Sequence, residues 1–308
     1  MISDLKDGNR VKDYFLVKEA SKGVSQTGLN YLNIVLQDKT GIIEAKKWDI
    51  NQKDVDTFKA GEIVQINGDV YDYKGKLQIK IYTAEIIDKK FADLNNFLID
   101  SPKPFDELEE RFKYFKNSVA NKDCKLILDT VFEKYYDKYK SYPAATKNHH
   151  EFYHGLLYHS VSMCEMAEAA AKNYENINRD ILITGCLLHD IGKIVELSGP
   201  MSTKYTDEGN LLGHLTIGFN IVKDVCDSLK IESDVPLQLE HMILSHHGKL
   251  EYGACVTPLT REALILSMID DMDAKMMMLD KALNDVKPGE YSEKIFGLDN
   301  RSFYKGKE

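Results

Sequence analysis

The sequence predicts a multidomain α and β chain, a small antiparallel β-barrel at the N-terminus followed by an all-α domain. Three observations carry that expectation. Hydrophobic residues alternate with period two up to about residue 90, then recur three and four apart from Phe105 onward. Residues 1–90 hold 15 Lys+Arg against 14 Asp+Glu, a net +1, whereas the remainder holds 25 against 35, a net −10. All nine histidines lie between His149 and His247, inside the helical part. At 308 residues and 43% hydrophobic content, the chain is long enough for two cores.

In the first part, Tyr31–Asp38 (YLNIVLQD) alternates, Asp38–Gly41 (DKTG) turns and Gly41–Trp48 (GIIEAKKW) runs back. A polar, helix-compatible stretch follows. The run from Gly61 to Ile87 then alternates almost throughout, broken by a turn at Lys74-Gly75. About five short antiparallel strands in this span suit a small Greek-key barrel. Residues 91–104, containing SPKP, are the expected linker. Beyond it, FDELEERFKYFKNSVA and CKLILDTVFEKYYDKYKSY read as helices, and Pro143 closes the second. Further helical patterns cover roughly 155–173, 179–197, 211–230, 234–246 and 260–286. The expected domains are therefore 1–90 and 105–308.

Composition excludes several classes. There is no window of about 18 uncharged apolar residues, so no membrane partner is expected. The N-terminal MISDLKDGNRVKDYF lacks the apolar stretch of a signal peptide. Five cysteines form no CxxC pair and read as buried thiols of a cytoplasmic protein. A net charge of −9 argues against indiscriminate polyanion binding, and the near-neutral and acidic parts are expected to do different jobs.

Imidazole suits transition metals, and carboxylate adds charge and hardness. The helical part offers His159, the His189-Asp190 pair, His214, His241, the His246-His247 pair, and Asp270 with Asp271 and Asp273. Neighbours on a helix point about 100° apart. His189 and Asp190 can therefore both reach one ion, or the aspartate can bridge two. Asp270 lies in the apolar, Met-rich run ILSMIDDMDAKMMML, where an unpaired carboxylate is costly and a cation resolves the cost. The bland alternatives are a hydrogen-bonded core role for His241 and a solvated helix face for Asp273 and Asp280.

The ordered set His159 … His189-Asp190-x-Gly192-Lys193 … His214 … His246-His247-Gly248 … Asp270-x-x-Asp273-Ala274 resembles the HD-domain phosphohydrolase superfamily over about residues 150–280. The resemblance implies a first metal on His159, His189, Asp190 and Asp270. It implies a second, bridged by Asp190, on His214 and on His246 or His247. Asp271 competes with Asp270 for the ligand role, Lys193 matches a lysine beside the substrate phosphate, and His150 matches a pocket histidine. The cofactor expected is a divalent cation, two rather than one, with manganese first and cobalt, iron or zinc as alternatives.

The strand-rich part resembles an OB-fold of the anticodon-binding type. Tyr71 and Tyr73 share a strand face beside Lys74, Lys76 and Lys80, and Trp48 follows Lys46 and Lys47. Aromatic platforms combined with cations are what single-strand binders use, although each aromatic alone is as readily barrel core. An OB-like domain ahead of an HD domain, with the ending KIFGLDNRSFYK, resembles the YhaM family of bacterial 3′–5′ exoribonucleases. That resemblance implies metal-dependent hydrolysis of single-stranded RNA, and secondarily single-stranded DNA, to nucleoside 5′-monophosphates, with Asp190 and Lys193 in the catalytic site. A homo-oligomer is compatible with the sequence. The competing expectations are a cyclic-nucleotide or nucleotide phosphohydrolase and a nucleic-acid-binding adaptor with a structural metal site.

Overall fold

Five strands close a barrel in the order β1-β2-β3-β5-β4: β1 (Arg10–Val24), β2 (Asn30–Asp38), β3 (Gly41–Trp48), β4 (Ile63–Tyr73) and β5 (Lys76–Ile87). The computed structural model describes residues 1–88, 90, 92–146 and 151–307. It divides into two compact units, one of Met1–Asp100 with Pro200–Ser202, the other of Ser101–Gly199 with the chain from Thr203 on.

The expected barrel is present, with one departure from an all-antiparallel sheet. Strands β3 and β5 pair in parallel, Ala45 opposite Ile79. The reason is parity: an odd ring of strands cannot close if every neighbour reverses direction. Strand β1, which the interrupted alternation did not locate, is 15 residues long and serves both sides of the closure. Arg10–Leu16 pairs with β4 and Leu16–Val24 with β2, and a bulge between Val17 and Glu19 bends it between the two. Phe15, Val17, Ile34, Leu36, Ala45, Ile66 and Ile79 alternate into a core sealed by Phe58, which caps the helix α1 (Gln52–Thr57). The β4–β5 turn is at Lys74-Gly75, where φ of 56° and 82° fit a type I′ hairpin. Within the stretch expected to link the domains, Phe97 and Leu98 are buried, and Gln37 Nε2 donates to the Phe97 carbonyl at 3.0 Å.

The second unit is helical: α2 (Phe105–Ser118), α3 (Lys122–Tyr139), α4 (Gly155–Asn173), α5 (Arg179–Leu188), α6 (Lys193–Glu196), α7 (Asp207–Leu229), α8 (Val235–Ser245) and α9 (Arg261–Leu283). Helix α5 is apolar all round and every residue from Ile181 to Leu188 is buried, the pattern of a central helix. Its expected continuation to residue 197 breaks at His189–Gly192. There the backbone bonds shorten to Ile191 N–H on Leu188 and Lys193 N–H on Asp190, both 3.0 Å. Gly192 permits the break to pack, because a Cβ there would lie 2.0 Å from the His214 carbonyl oxygen. Four of the five cysteines are buried, as expected, whereas Cys255 is exposed. Among the described residues, no helix is long and apolar enough to cross a membrane.

Candidate functional site

Five helix segments deliver the expected residues to one buried place. His159 comes from the second turn of α4, and His189 and Asp190 from the turn after α5. His214 follows the kink in α7, His246 and His247 follow the end of α8, and Asp270 faces inward from α9. Two groups result, His159 with His189 and Asp190, and His214 with His246 and His247.

Asp190 stands between them. Its Oδ2 faces His189 Nε2 at 3.4 Å and His159 Nε2 at 3.8 Å. Its Oδ1 faces His214 Nε2 at 3.5 Å and His246 Nε2 at 3.6 Å. Asp270 Oδ1 joins the first group, 3.1 Å from His159 Nε2. Lys193, expected beside a phosphate, has its Nζ 2.7 Å from Asp190 Oδ2.

Every imidazole in the two groups has its Nδ1 on an oxygen that can only accept. His189 donates to the Cys186 carbonyl at 2.9 Å, His246 to Ile243 at 2.7 Å and His247 to Tyr252 at 3.0 Å. The other two donate to carboxylates, His159 to Asp273 Oδ2 at 2.7 Å and His214 to Glu196 Oε1 at 2.9 Å. The Nδ1 proton is thereby fixed, leaving five Nε2 atoms turned inward, the tautomer a metal ligand needs.

Asp273 and Glu196 were not among the expected ligands. Asp273 is buried and also accepts from Ser162 Oγ at 2.5 Å, so the solvated-face alternative fails for it. Its position three residues after Asp270, on the same helical face, was the available signal. Glu196 carried the weaker signal of a carboxylate one turn after Lys193.

Charge completes the picture. Burial pulls the His159 ring down, but its bonds to Asp270 and Asp273 outweigh this and raise its pKa to about 10. Burial pushes Asp190 up, yet Lys193 and His189 hold its carboxyl well below the ordinary range. Burial lowers His246, and burial with the neighbouring His246 and His214 lowers His247 to about 4. A neutral His246 turns its Nε2 lone pair toward Asp190 Oδ1, a buried oxygen with no hydrogen-bond partner among the described residues. A stranded carboxylate oxygen costs free energy that a cation would remove. The spacing agrees: two nitrogens each about 2.0–2.1 Å from one ion lie about 2.9–3.4 Å apart. The Nε2 pairs His159–His189 and His214–His247 are both 3.2 Å apart. The residues fit a divalent cation in each group.

Other expected residues are not brought together. Asp271 points outward and pairs with Lys275 at 2.6 Å, leaving Asp270 as the inward carboxylate. His241 Nε2 accepts the Leu259 N–H at 2.9 Å, in line with the hydrogen-bonded alternative. His150 lies outside the described residues.

On the barrel, Lys46 Nζ sits 5.3 Å from the Tyr31 ring, 5.8 Å from Trp48 and 5.9 Å from Tyr73. Tyr31 and Trp48 are 4.7 Å apart. Lys74 reaches to 5.4 Å from Tyr73, and Lys76 is opposite Tyr73 in the β4–β5 register. Trp48, Tyr73, Lys74 and Lys76 thus share a face. Tyr71 is different, because its hydroxyl donates to Gln78 at 2.8 Å and Gln78 in turn donates to Glu44. Tyr31 was missed; the β2–β3 register, which sets it opposite Trp48, would have found it.

Two protein families match the chain. Residues 156–275 match the HD domain, and residues 17–87 match the OB-fold nucleic acid binding domain. Among solved structures, the chain is similar to the second OB-fold domain of replication protein A from Methanococcus maripaludis. That match is 23% identical over 30% of this chain and 97% of the other, with a TM-score of 0.25. It is also similar to protein priB from Ralstonia solanacearum, 18% identical over 26% of this chain and 98% of the other, with a TM-score of 0.23. An OB-fold nucleic-acid-binding domain therefore precedes an HD domain of the metal-dependent phosphohydrolase kind.

Proposed function

We propose that the protein is a metal-dependent 3′–5′ exoribonuclease that hydrolyses single-stranded RNA, and also single-stranded DNA, to nucleoside 5′-monophosphates. The observation that carries the hydrolytic part is the buried Asp190 carboxylate, with one oxygen toward each histidine group and Oδ1 lacking a hydrogen-bond partner among the described residues. His159, His189, Asp190 and Asp270 would hold one cation, and His214, His246 and His247 with Asp190 a second. Divalent cations in such a place make a water acidic and neutralise charge at the phosphoryl group.

The chain's own residues do the rest. Asp190 and Asp270 supply negative charge, and five Nδ1–H bonds hold the rings in register. Lys193, one turn from Asp190, offsets that charge and has the reach to hold a phosphate oxygen when Asp190 is otherwise engaged.

The polymeric substrate is supported by the OB-fold domain, which a hydrolase of free nucleotides has no need of. On that domain Tyr31, Trp48 and Tyr73 around Lys46 suit base stacking beside phosphate. The direction of attack and the preference for RNA rest on the likeness of the domain order and C-terminal segment to the YhaM family. Elemental analysis of the purified protein together with degradation of a single-stranded RNA tests the reading. Metal retention with cyclic nucleotides cleaved and RNA untouched would replace it by a nucleotide phosphohydrolase.

A further inference from the structure

Each histidine group contains one ring whose Nδ1 proton goes to a carboxylate rather than to a backbone carbonyl. In the second group that ring is His214, and its surroundings are built in an unusual way. Helix α7 kinks at Gly213, whose φ of 71° and ψ of 155° are far from helical. The kink takes the His214 N–H out of the helical bonding ladder. Glu196 Oε1 receives that N–H at 3.0 Å and the His214 Nδ1–H at 2.9 Å.

One carboxylate oxygen thus fixes the ring and its own main chain. Glu196 is itself held from behind. Its carbonyl accepts the Thr206 N–H at 2.9 Å, and Gly209 packs so closely that a Cβ would lie 2.3 Å from that carbonyl oxygen. The other end of the imidazole, Nε2, faces His247 at 3.2 Å and Asp190 at 3.5 Å.

We infer that Glu196 is the positioning residue of the second cation site: it sets the tautomer and the direction of His214 through the Gly213 kink. The inference rests on the metal-centre reading above. A buried carboxylate is a costly way to finish a helix kink, because a Ser, Thr or Asn side chain can take a free backbone N–H as well. A single acceptor reaching both hydrogens is needed only if the ring must be fixed together with its backbone. Without Glu196 the ring is free to carry its proton on Nε2, where it cannot ligate.

The experiment is nitrogen-detected NMR of the histidine rings in metal-free protein, followed by cobalt(II) titration read by calorimetry and visible absorption. The wild type should show His214 protonated on Nδ1, and an Nε2–H tautomer there would overturn the inference by itself. E196Q, which retains an acceptor oxygen of the same reach, should keep the Nδ1–H form. E196A should lose it and should bind cobalt at one class of site about 10–100-fold more weakly, with the other class unchanged. An unchanged tautomer and unchanged affinities in E196A would overturn the proposal. If the wild type binds no cobalt, the metal-centre reading fails, while the ring spectra still decide whether Glu196 controls His214.

Discussion

The Nε2 atoms of His214 and His247 lie 3.2 Å apart, although each ring has already given its Nδ1 proton to an oxygen. Rings held this way bring lone pair against lone pair unless something lies between them. Either a proton or a cation between them relieves the repulsion, and burial holds His247 at about 4, against the proton. The same contest appears in the first group with a different outcome. There Asp270 and Asp273 flank His159, and a proton on both its nitrogens satisfies them.

From this follows a pH signature of the metal-free protein. His159 is raised from 6.5 to about 10, with Asp270, Asp273, Asp190 and His189 facing it. A raised folded-state pKa stabilises fully below the unfolded value and is lost as pH rises through the folded one. The melting temperature of metal-free protein should therefore fall between about pH 6.5 and 10. In D273N the fall should be smaller. Equal slopes in the two proteins would contradict the assignment.

Loading the first group at neutral pH must displace the His159 proton. Calorimetric titration with metal in buffers of different ionisation enthalpy should show proton release, and D273N should release less. Release that is absent in the wild type at pH 7–8 would show that no cation enters beside His159.

Asp190→Ala should abolish hydrolysis and metal retention. It also leaves the Lys193 ammonium buried without its 2.7 Å partner, a change that costs about 3–5 kcal/mol in comparable buried pairs. The double variant with Lys193→Met should recover much of that stability and none of the activity. Urea denaturation and elemental analysis read the two effects separately.

Gly213→Ala should cost about 1–3 kcal/mol, since no described atom lies within 4 Å of a Cβ there and the strain comes from a backbone conformation, φ 71° with ψ 155°, that is nearly confined to glycine. The loss should be accompanied by weaker metal binding, measurable by the same titration.

On the barrel, Trp48→Ala should weaken binding of a single-stranded oligonucleotide by about 1–3 kcal/mol if a base stacks there. Lys46→Ala should reduce the salt dependence of binding as well as the affinity. Tyr71→Phe should leave both nearly unchanged, because its hydroxyl already serves Gln78.

How far these features were readable beforehand depends on the kind of signal. Alternation located β2, β3 and the β4–β5 hairpin, since each strand sets one face to core and one to solvent. Strand β1 escaped because it changes partner midway and its charged residues interrupt the pattern. The helical period located α2 to α9 but not the break at residues 189–192, where Gly192 packs closely on α7, a contact that periodicity does not display. The histidines and carboxylates that converge inward were legible from residue type and order. Glu196 was not separable from surface carboxylates, and Asp273 was marked only by its spacing from Asp270, because what fixes their roles is a partner distant in sequence: His159 for Asp273, at a separation of 114 residues, and His214 for Glu196, at 18.

The most direct measurement is incubation of 5′-end-labelled single-stranded RNA with metal-reconstituted protein, reading both the chain lengths and the released nucleotides. With water as nucleophile and the 3′-oxygen of the remaining strand as leaving group, the labelled strand should shorten stepwise from its 3′ end. The nucleotides released should be 5′-monophosphates. Release of 3′-phosphates or 2′,3′-cyclic phosphates, or an RNA that stays full length with the metal bound, would contradict the account.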